Sequence, residues 1–201
     1  MQLLWFFGLH GFSIIWGVVS SIWLPLFMEQ IDTFAKTQSF DSITQVAPNT
    51  ISNIYAMLGG SGSTLALIVV LLILAPKKSA EKEIAKMSLV PGIFNINEPI
   101  IFGLPIVLNP MMFIPFVFVP VVNAIIGYFA TSWGLVNHLV VLNSGVEPIF
   151  VNAWVLGAFT LSPVILCIVL FILDLVLYYP FVKLQIKQNT LEAQNEGAAV
   201  E

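Results

Sequence analysis

Residues 92–105 read Gly-Ile-Phe-Asn-Ile-Asn-Glu-Pro-Ile-Ile-Phe-Gly-Leu-Pro. This stretch contains two amides and a carboxylate. The chain also has three long runs without any charged residue, at 42–76, 99–146 and 148–173. Crossing the hydrocarbon of a bilayer takes roughly 20 apolar residues, so each run is long enough to span it. Backbone groups in lipid must be bonded within the segment, which favours helices over open strands. The sequence therefore predicts an all-α membrane protein, a polytopic helical bundle.

Composition agrees with a surface that mostly faces lipid. Hydrophobic residues make up 58% of the chain and charged residues 9%, whereas a soluble domain carries about 25% charged residues. The formal net charge of −4 gives no support for nucleic-acid binding. The single cysteine, Cys167, lies in an apolar run, which excludes an intrachain disulfide and predicts a buried thiol. Protease and redox motifs such as HExxH and CxxC are absent, so we expect no catalytic residue, metal or cofactor.

Four segments are long enough to cross a membrane, at about 3–27, 55–75, 107–130 and 153–182. Six of the seven lysines lie in two short stretches, at 77–86 and 183–187. The positive-inside rule places both stretches in the cytoplasm, which makes the C-terminus cytoplasmic. The polar residues 185–201 then form a cytoplasmic tail, which we expect to be frayed, beyond a membrane region that covers 1–184.

Counting spans predicts a re-entrant hairpin at about 88–106. The second and fourth spans both run inward, so the third can run outward only if 88–106 enters from the cytoplasmic side and returns to it. Pro91, Gly92, Pro99, Gly103 and Pro105 interrupt this segment too often for one helix. Irregular backbone at membrane depth is tolerated where it is buried in protein or lines a cavity. The hairpin is therefore predicted to border a cavity.

Glu98 is the first candidate binding residue, because an ionisable group inside a membrane segment is costly and is a functional hypothesis by default. Asn95 and Asn97 beside it supply donors and acceptors, and the Pro99 nitrogen cannot donate. Such a cluster suits a ligand with many hydroxyl groups, such as a sugar. The alternative is that the three polar side chains only cap the hairpin turn, which would not require an ionisable group.

His10 is the second candidate, flanked by Gly8 and Gly11, which allow close approach of a backbone or ligand. It could pair with Glu98, or it could be a satisfied core histidine. The sequence Gly-Gly-Ser-Gly-Ser-Thr at 59–64 leaves two interpretations open. Gly60 and Ser61 could belong to a binding element at the cavity, or the small residues could serve close helix packing.

Three further expectations concern residues near these candidates. Asn49 and Asn53 could face the same cavity. Asp174, about two turns from the end of the last span, favours an interfacial or helix-pairing role. The aromatic residues near the N-terminus are assigned to lipid or to the aromatic belt, and one of them could stack on a sugar ring; they are Trp5, Phe6, Phe7, Phe12, Trp16 and Trp23.

The stretch at 92–105 resembles the membrane component, enzyme IIC, of the lactose/cellobiose (diacetylchitobiose) branch of the bacterial sugar phosphotransferase system. The sequences at 4–11, 59–65 and 179–183 support this resemblance. It covers nearly the whole chain but only the C-terminal half of the family, whose members have about ten spans. The resemblance implies a bacterial plasma-membrane permease that binds and translocates a β-linked disaccharide such as cellobiose, diacetylchitobiose or lactose.

The resemblance also implies partners and roles. Glu98 and His10 would contact the sugar, and the cytosolic IIB and IIA components would carry the phosphoryl group. A homodimer is expected for the full-length protein. Two other functions stay open from the sequence alone: an ion-coupled sugar symporter with Glu98 cycling protons, and a truncated fragment that does not transport.

Overall fold

The computed structural model describes residues 1–104, 106, 109–142, 145 and 147–200, without the side chains of Phe6 and of 192–200. Within these ranges the chain is all-α, as predicted, and Pro105, Val107 and Ser144 lie outside them. The helices are α1 (Gln2–Phe6), α2 (Gly11–Thr37), α3 (Pro48–Thr50), α4 (Thr64–Leu74), α5 (Ala80–Ile93), α6 (Glu98–Gly103), α7 (Pro110–Ser132), α8 (Ile149–Leu156) and α9 (Ser162–Val200). A π-helical turn, Ile51–Tyr55, continues α3.

Three helices of the described chain are long and apolar enough to cross a membrane. They are Gly11–Thr37, Pro110–Ser132 and Ser162–Leu191, the last being most of α9. The apolar helix α4 has 11 residues, which at 1.5 Å per residue is about half of a 30 Å hydrocarbon core. The molecule therefore combines full-length helices with half-length ones.

The first two predicted segments are not continuous helices. The segment at 3–27 breaks at 7–10, where Gly8 has φ of +75°, and its helix then runs on to Thr37. The segment at 55–75 is helical only from Thr64, because Gly59, Gly60 and Gly62 all have positive φ. Glycine adopts that conformation at little cost, and it ends a right-handed helix.

The last predicted segment differs in two ways. A break between α8 and α9 divides 153–182, with Ala158 at φ +50° and Phe159 at φ +62°. The tail at 185–201 was expected to fray, but α9 continues through it to Val200. Its Leu, Gln, Lys, Glu and Ala residues are good helix formers, and extending an existing helix needs no new nucleus.

The predicted hairpin leaves one end of the bundle and returns to it. Before its start, in the first turn of α5, the Glu81 side chain accepts a hydrogen bond from Asn189 of α9 (2.7 Å). Just beyond its end, the Asn109 side chain donates to Gln185 of α9 (2.9 Å). Both ends of 81–109 thus lie beside the same part of α9. Between them α5 and α6 are joined by a four-residue turn at 94–97.

The opposite end of the bundle is joined by Gln30 of α2, which is 4% exposed. Its amide nitrogen donates to the Leu139 carbonyl (2.7 Å), and its amide oxygen accepts from the Ala47 backbone (3.0 Å). Between the two ends, buried side chains of α4 and α9 form the core, with Leu67, Ile68 and Leu170 fully buried. This frame holds the interrupted segments in the interior.

Candidate ligand-binding site

A cavity of about 380 Å³ lies where the interrupted segments meet. Cavities that hold small molecules typically measure about 300–1,000 Å³. Its walls come from the break before α2, the turn at 94–97, the loop at 59–63, the α3 region and α8. The lining residues are Trp5, His10, Phe12, Phe27, Asn49, Thr50, Asn53, Ile54, Met57, Gly60, Ser61, Phe94, Asn95, Ile96, Asn97, Glu98, Gly145, Asn152 and Leu156.

His10 and Glu98 meet on one wall of this cavity. The Nε2 atom of His10 lies 3.4 Å from Oε1 of Glu98, and the two side chains are 46% and 43% exposed. His10 is held as the N-cap of α2, where its Nδ1 accepts from the Ser13 backbone (3.2 Å). Glu98 opens α6. The exposure of His10 does not fit a satisfied core histidine, whereas its pairing with Glu98 was one of the two predicted interpretations.

Trp5 packs against the ring of His10. Its predicted assignment to lipid or to the aromatic belt is therefore wrong. It is 2% exposed, and its ring centroid lies 4.5 Å from that of His10. Its indole nitrogen donates to the Ser61 hydroxyl (3.0 Å). Trp5 precedes His10 by five residues in the sequence, but nothing in the sequence shows that the chain turns back between them.

The hairpin turn and the glycine-rich loop, residues 59–63, are joined through the two predicted asparagines. Oδ1 of Asn95 accepts from the backbone nitrogens of Gly59 (2.9 Å) and Gly60 (3.2 Å). Nδ2 of Asn97 donates to the Ser61 carbonyl (2.7 Å). Asn97 is the N-cap residue of α6, but its side chain caps nothing. Capping the turn is therefore not what these amides do.

Two more amides bring unpaired polar atoms to the cavity. Among the described residues, the Oδ1 atoms of Asn49 and Asn53 are buried without a hydrogen-bond partner. Leaving a buried polar atom unpaired costs about 1–3 kcal/mol. Both residues line the cavity, so a ligand that donates hydrogen bonds there would remove this cost. The sequence prediction that they could face the cavity agrees with this position.

The cavity therefore offers a carboxylate, an imidazole and several amides on walls that also carry Trp5, Phe12, Phe27 and Phe94. Hydroxyl groups both donate and accept, so they can pair with all of these groups. All six residues predicted for the site are brought together here: Glu98, His10, Asn97, Asn95, Gly60 and Ser61. The sequence missed Asn152 and Leu156 of α8, which reach the cavity only through the tertiary fold.

Fold and site together define a polytopic helical membrane protein with a polar cavity enclosed by interrupted helices. The model of the family "Phosphotransferase system, EIIC" matches residues 1–120, and the chain belongs to that family.

Similar proteins extend this comparison to most of the chain. The oligo-beta-mannoside-specific EIIC component of Bacillus subtilis (strain 168) is 36% identical over 98% of the chain and 44% of the relative. The cellobiose-specific EIIC component of Geobacillus stearothermophilus is 38% identical, over 96% of the chain and 43% of the relative. The crystal structure of ChbC, the IIC component from the N,N'-diacetylchitobiose-specific phosphotransferase system, matches with a TM-score of 0.83 at 40% identity. That match covers 96% of the chain and 44% of ChbC. The chain thus spans less than half the length of these relatives.

Proposed function

We propose that this chain forms the sugar-binding part of the membrane permease, or IIC component, of a phosphoenolpyruvate-dependent sugar phosphotransferase system. Its ligand is a β-linked disaccharide such as cellobiose, diacetylchitobiose or lactose. The observation that carries the proposal is the His10–Glu98 pair, 3.4 Å apart, on the wall of a cavity with unpaired amide oxygens. The names of the relatives, which specify oligo-beta-mannoside, cellobiose and diacetylchitobiose, favour this ligand class.

In this proposal each polar group has a defined role. Glu98 accepts hydrogen bonds from sugar hydroxyls, and His10 beside it binds a neighbouring hydroxyl. Asn95 and Asn97 use one amide atom each to hold the glycine-rich loop, which leaves Nδ2 of Asn95 and Oδ1 of Asn97 to meet the ligand. The apolar ring of Phe12, which lines the cavity, suits the C–H face of a sugar.

The test is calorimetric titration of the purified protein in detergent with cellobiose, diacetylchitobiose and lactose. One sugar is expected to bind, and Glu98→Gln should nearly abolish that binding, because hydrogen bonds to a charged acceptor contribute about 1.5–3 kcal/mol each. Glu83→Gln is the matched control, since Glu83 is exposed, paired with Lys86 and absent from the cavity. Unchanged affinity in Glu98→Gln would refute the assignment.

The chain itself is proposed to bind and translocate, while a cytosolic IIB component, supplied by IIA, carries the phosphoryl group. A relative from Staphylococcus haemolyticus (strain JCSC1435), 33% identical over 92% of this chain, is named the lactose-specific EIICB component. Its name therefore combines the IIC and IIB designations. We also propose that the full-length protein is a homodimer in the bacterial plasma membrane.

Sugar uptake into vesicles separates this proposal from an ion-coupled symporter. Uptake should require phosphoenolpyruvate and the cytosolic components and should deliver sugar phosphate. Accumulation of unmodified sugar driven by an ion gradient alone would support the symporter instead. Absence of sugar binding by the intact protein would favour a fragment that does not transport.

A further inference from the structure

The glycine-rich loop has a second side, opposite the cavity, that meets three fully buried side chains. They are Asn123 of α7 and Asp174 and Tyr178 of α9, each 0% exposed. Asp174 and Tyr178 are four residues apart, so they lie on the same face of α9. None of the three lines the cavity.

These side chains hold the loop through two sets of hydrogen bonds. Nδ2 of Asn123 donates both to the Ser63 hydroxyl (3.2 Å) and to Oδ2 of Asp174 (3.0 Å). The Ser63 hydroxyl donates in turn to the Ala56 carbonyl (3.2 Å). The Tyr178 hydroxyl donates to the Gly62 carbonyl (2.5 Å). Helices α7 and α9 thus hold the loop on the side that faces away from the cavity.

The backbone conformation of the loop is unfavourable unless contacts from outside the loop stabilise it. Gly59, Gly60 and Gly62 have φ between +85° and +91°, and Ser63, which carries a Cβ, has φ of +54°. A left-handed residue other than glycine costs roughly 1–2 kcal/mol, and such a conformation persists only where the surroundings determine it. The buried hydrogen bonds to Ser63 and Gly62 supply that determination.

The position of Asp174 carries a large desolvation cost. It lies inside a helix apolar enough to span a membrane, and no ion pair of the described chain includes it. Its Oδ1 atom and that of Asn123 are buried without a partner. An ionisable residue inside a membrane segment is costly and is a functional hypothesis by default, and buried polar groups can select one conformation. Helix pairing, one of the two predicted roles of Asp174, agrees with its hydrogen bond to Asn123 of α7.

We propose that Asp174 is a positioning residue for the sugar site and acts through Asn123 and Ser63 on the glycine-rich loop. The loop is its connection to the ligand. Ser61 in the loop accepts from Trp5 and Asn97, and Gly59 and Gly60 donate to Asn95. This inference rests on the proposed function for its ligand, but the effect on the loop does not.

The test compares Asp174→Leu, Asp174→Asn and Val182→Ala in the purified protein. Val182 is a buried α9 residue in a core cluster that contains no residue of 57–64, so its truncation lowers stability without removing a bond to the loop. Hydrogen exchange measured by mass spectrometry reports on the amides at 57–64, and calorimetry reports disaccharide affinity. Asp174→Leu should accelerate exchange at 57–64 selectively and weaken binding about tenfold, the effect of one lost hydrogen bond.

Asp174→Asn should restore most of both readouts, because its amide oxygen can still accept from Asn123. If Asp174→Leu does not fold, Ser63→Ala removes the same connection at the loop and should accelerate exchange there by itself. Unchanged loop exchange in the variant that folds would overturn the proposal, as would an equal selective effect in Val182→Ala. If the wild-type protein binds no disaccharide, the proposed function fails while the exchange measurement still decides the role of Asp174.

Discussion

At the scale of residues, the carboxylate and the imidazole of the cavity complement each other toward a hydroxylated ligand. Glu98 can only accept when ionised, whereas the neutral imidazole of His10 has one donor and one acceptor. Because Nδ1 of His10 accepts from the Ser13 backbone, Nε2 is the nitrogen that carries the proton and faces Glu98. A sugar hydroxyl inserted between them could accept from His10 and donate to Glu98.

Asn49 offers a prediction that separates binding from folding. Its Oδ1 atom is buried and unpaired in the free cavity, so Asn49→Ala removes an unsatisfied acceptor along with a potential ligand contact. We expect disaccharide affinity to fall by about tenfold while the unfolding temperature does not fall. Calorimetry and thermal unfolding of the same preparation measure the two effects.

The control for this prediction is Asn109→Ala. Asn109 is outside the cavity and accepts from the backbone nitrogens of Met111 and Met112 as the N-cap of α7. Losing that cap should lower stability by about 1 kcal/mol and leave affinity unchanged. A large loss of stability in Asn49→Ala would mean that its amide serves the fold.

The sequence predicted the site residues that are conspicuous in apolar surroundings. Glu98, His10 and the amides beside them differ in polarity from their neighbours, and that contrast can be read without a structure. Trp5 was assigned to lipid or to the aromatic belt although it is buried, because lipid-facing and buried tryptophans look alike in an apolar segment. Its place depends on the Ser61 contact, 56 positions away along the chain.

At the scale of elements, the molecule is organised by its interrupted helices. The continuous apolar runs predicted where the helices lie but not where they break. Gly8 and the glycines at 59–62 were visible as potential breaks, yet small residues also serve close helix packing. The break between α8 and α9 includes Ala158 and Phe159 at positive φ, and neither residue type indicates such a conformation.

Gly62→Ala tests whether the glycine-rich loop depends on close packing. Gly62 has φ of +85°, and a Cβ there would lie 2.3 Å from the Phe116 ring. Gly134→Ala is its matched control, since Gly134 has φ of +73° with no atom within 4 Å of such a Cβ. Both variants incur the left-handed cost of about 1–2 kcal/mol, and only Gly62→Ala adds a clash of about 1–3 kcal/mol. Chemical unfolding should therefore show a larger loss for Gly62→Ala, and equal losses would contradict the packing.

The contact of Glu81 with α9 predicts a pH dependence. Partial burial raises the pKa of Glu81, but hydrogen bonds from Asn189, its own backbone and Ser79 outweigh burial and hold the pKa below 4.5. A pKa that is lower in the folded than in the unfolded state contributes stability above the unfolded value, and this is lost as pH falls through the folded value.

The wild-type protein should therefore exceed Glu81→Gln in unfolding temperature at pH 7, and the difference should shrink as the pH is lowered below 4.5. Thermal unfolding across that range measures it. A difference that stays constant with pH would mean that the carboxylate charge does not contribute.

At the scale of the whole molecule, the two lysine-rich stretches lie on one side. The bond between Asn189 and Glu81 brings the end of α9 to the start of α5, and lysines precede or flank both places in the sequence. At the opposite end of the bundle, Gln30 of α2 joins Ala47 and Leu139. Counting charges and spans thus predicted that the two lysine-rich stretches share an end of the bundle. Lysines collect in the cytoplasmic loops of membrane proteins, and their positions can be read from the sequence.

Cysteine labelling tests the orientation that we propose. Cys167 is the only cysteine and is buried, so Cys167→Ala provides a background for single cysteines at exposed positions. Lys78→Cys and Lys187→Cys should react with a membrane-impermeant maleimide only in inside-out vesicles. Thr37→Cys, at the opposite end of the bundle, should react in intact cells. The reverse pattern would place the C-terminus outside.

We propose that a β-linked disaccharide binds in the cavity against His10 and Glu98. A structure of the protein determined with cellobiose, diacetylchitobiose or lactose would locate the sugar. We predict a sugar ring whose hydroxyls lie within hydrogen-bond distance of both side chains and of the Asn49 or Asn53 oxygens. A disaccharide bound elsewhere, with this cavity unoccupied, would contradict the account.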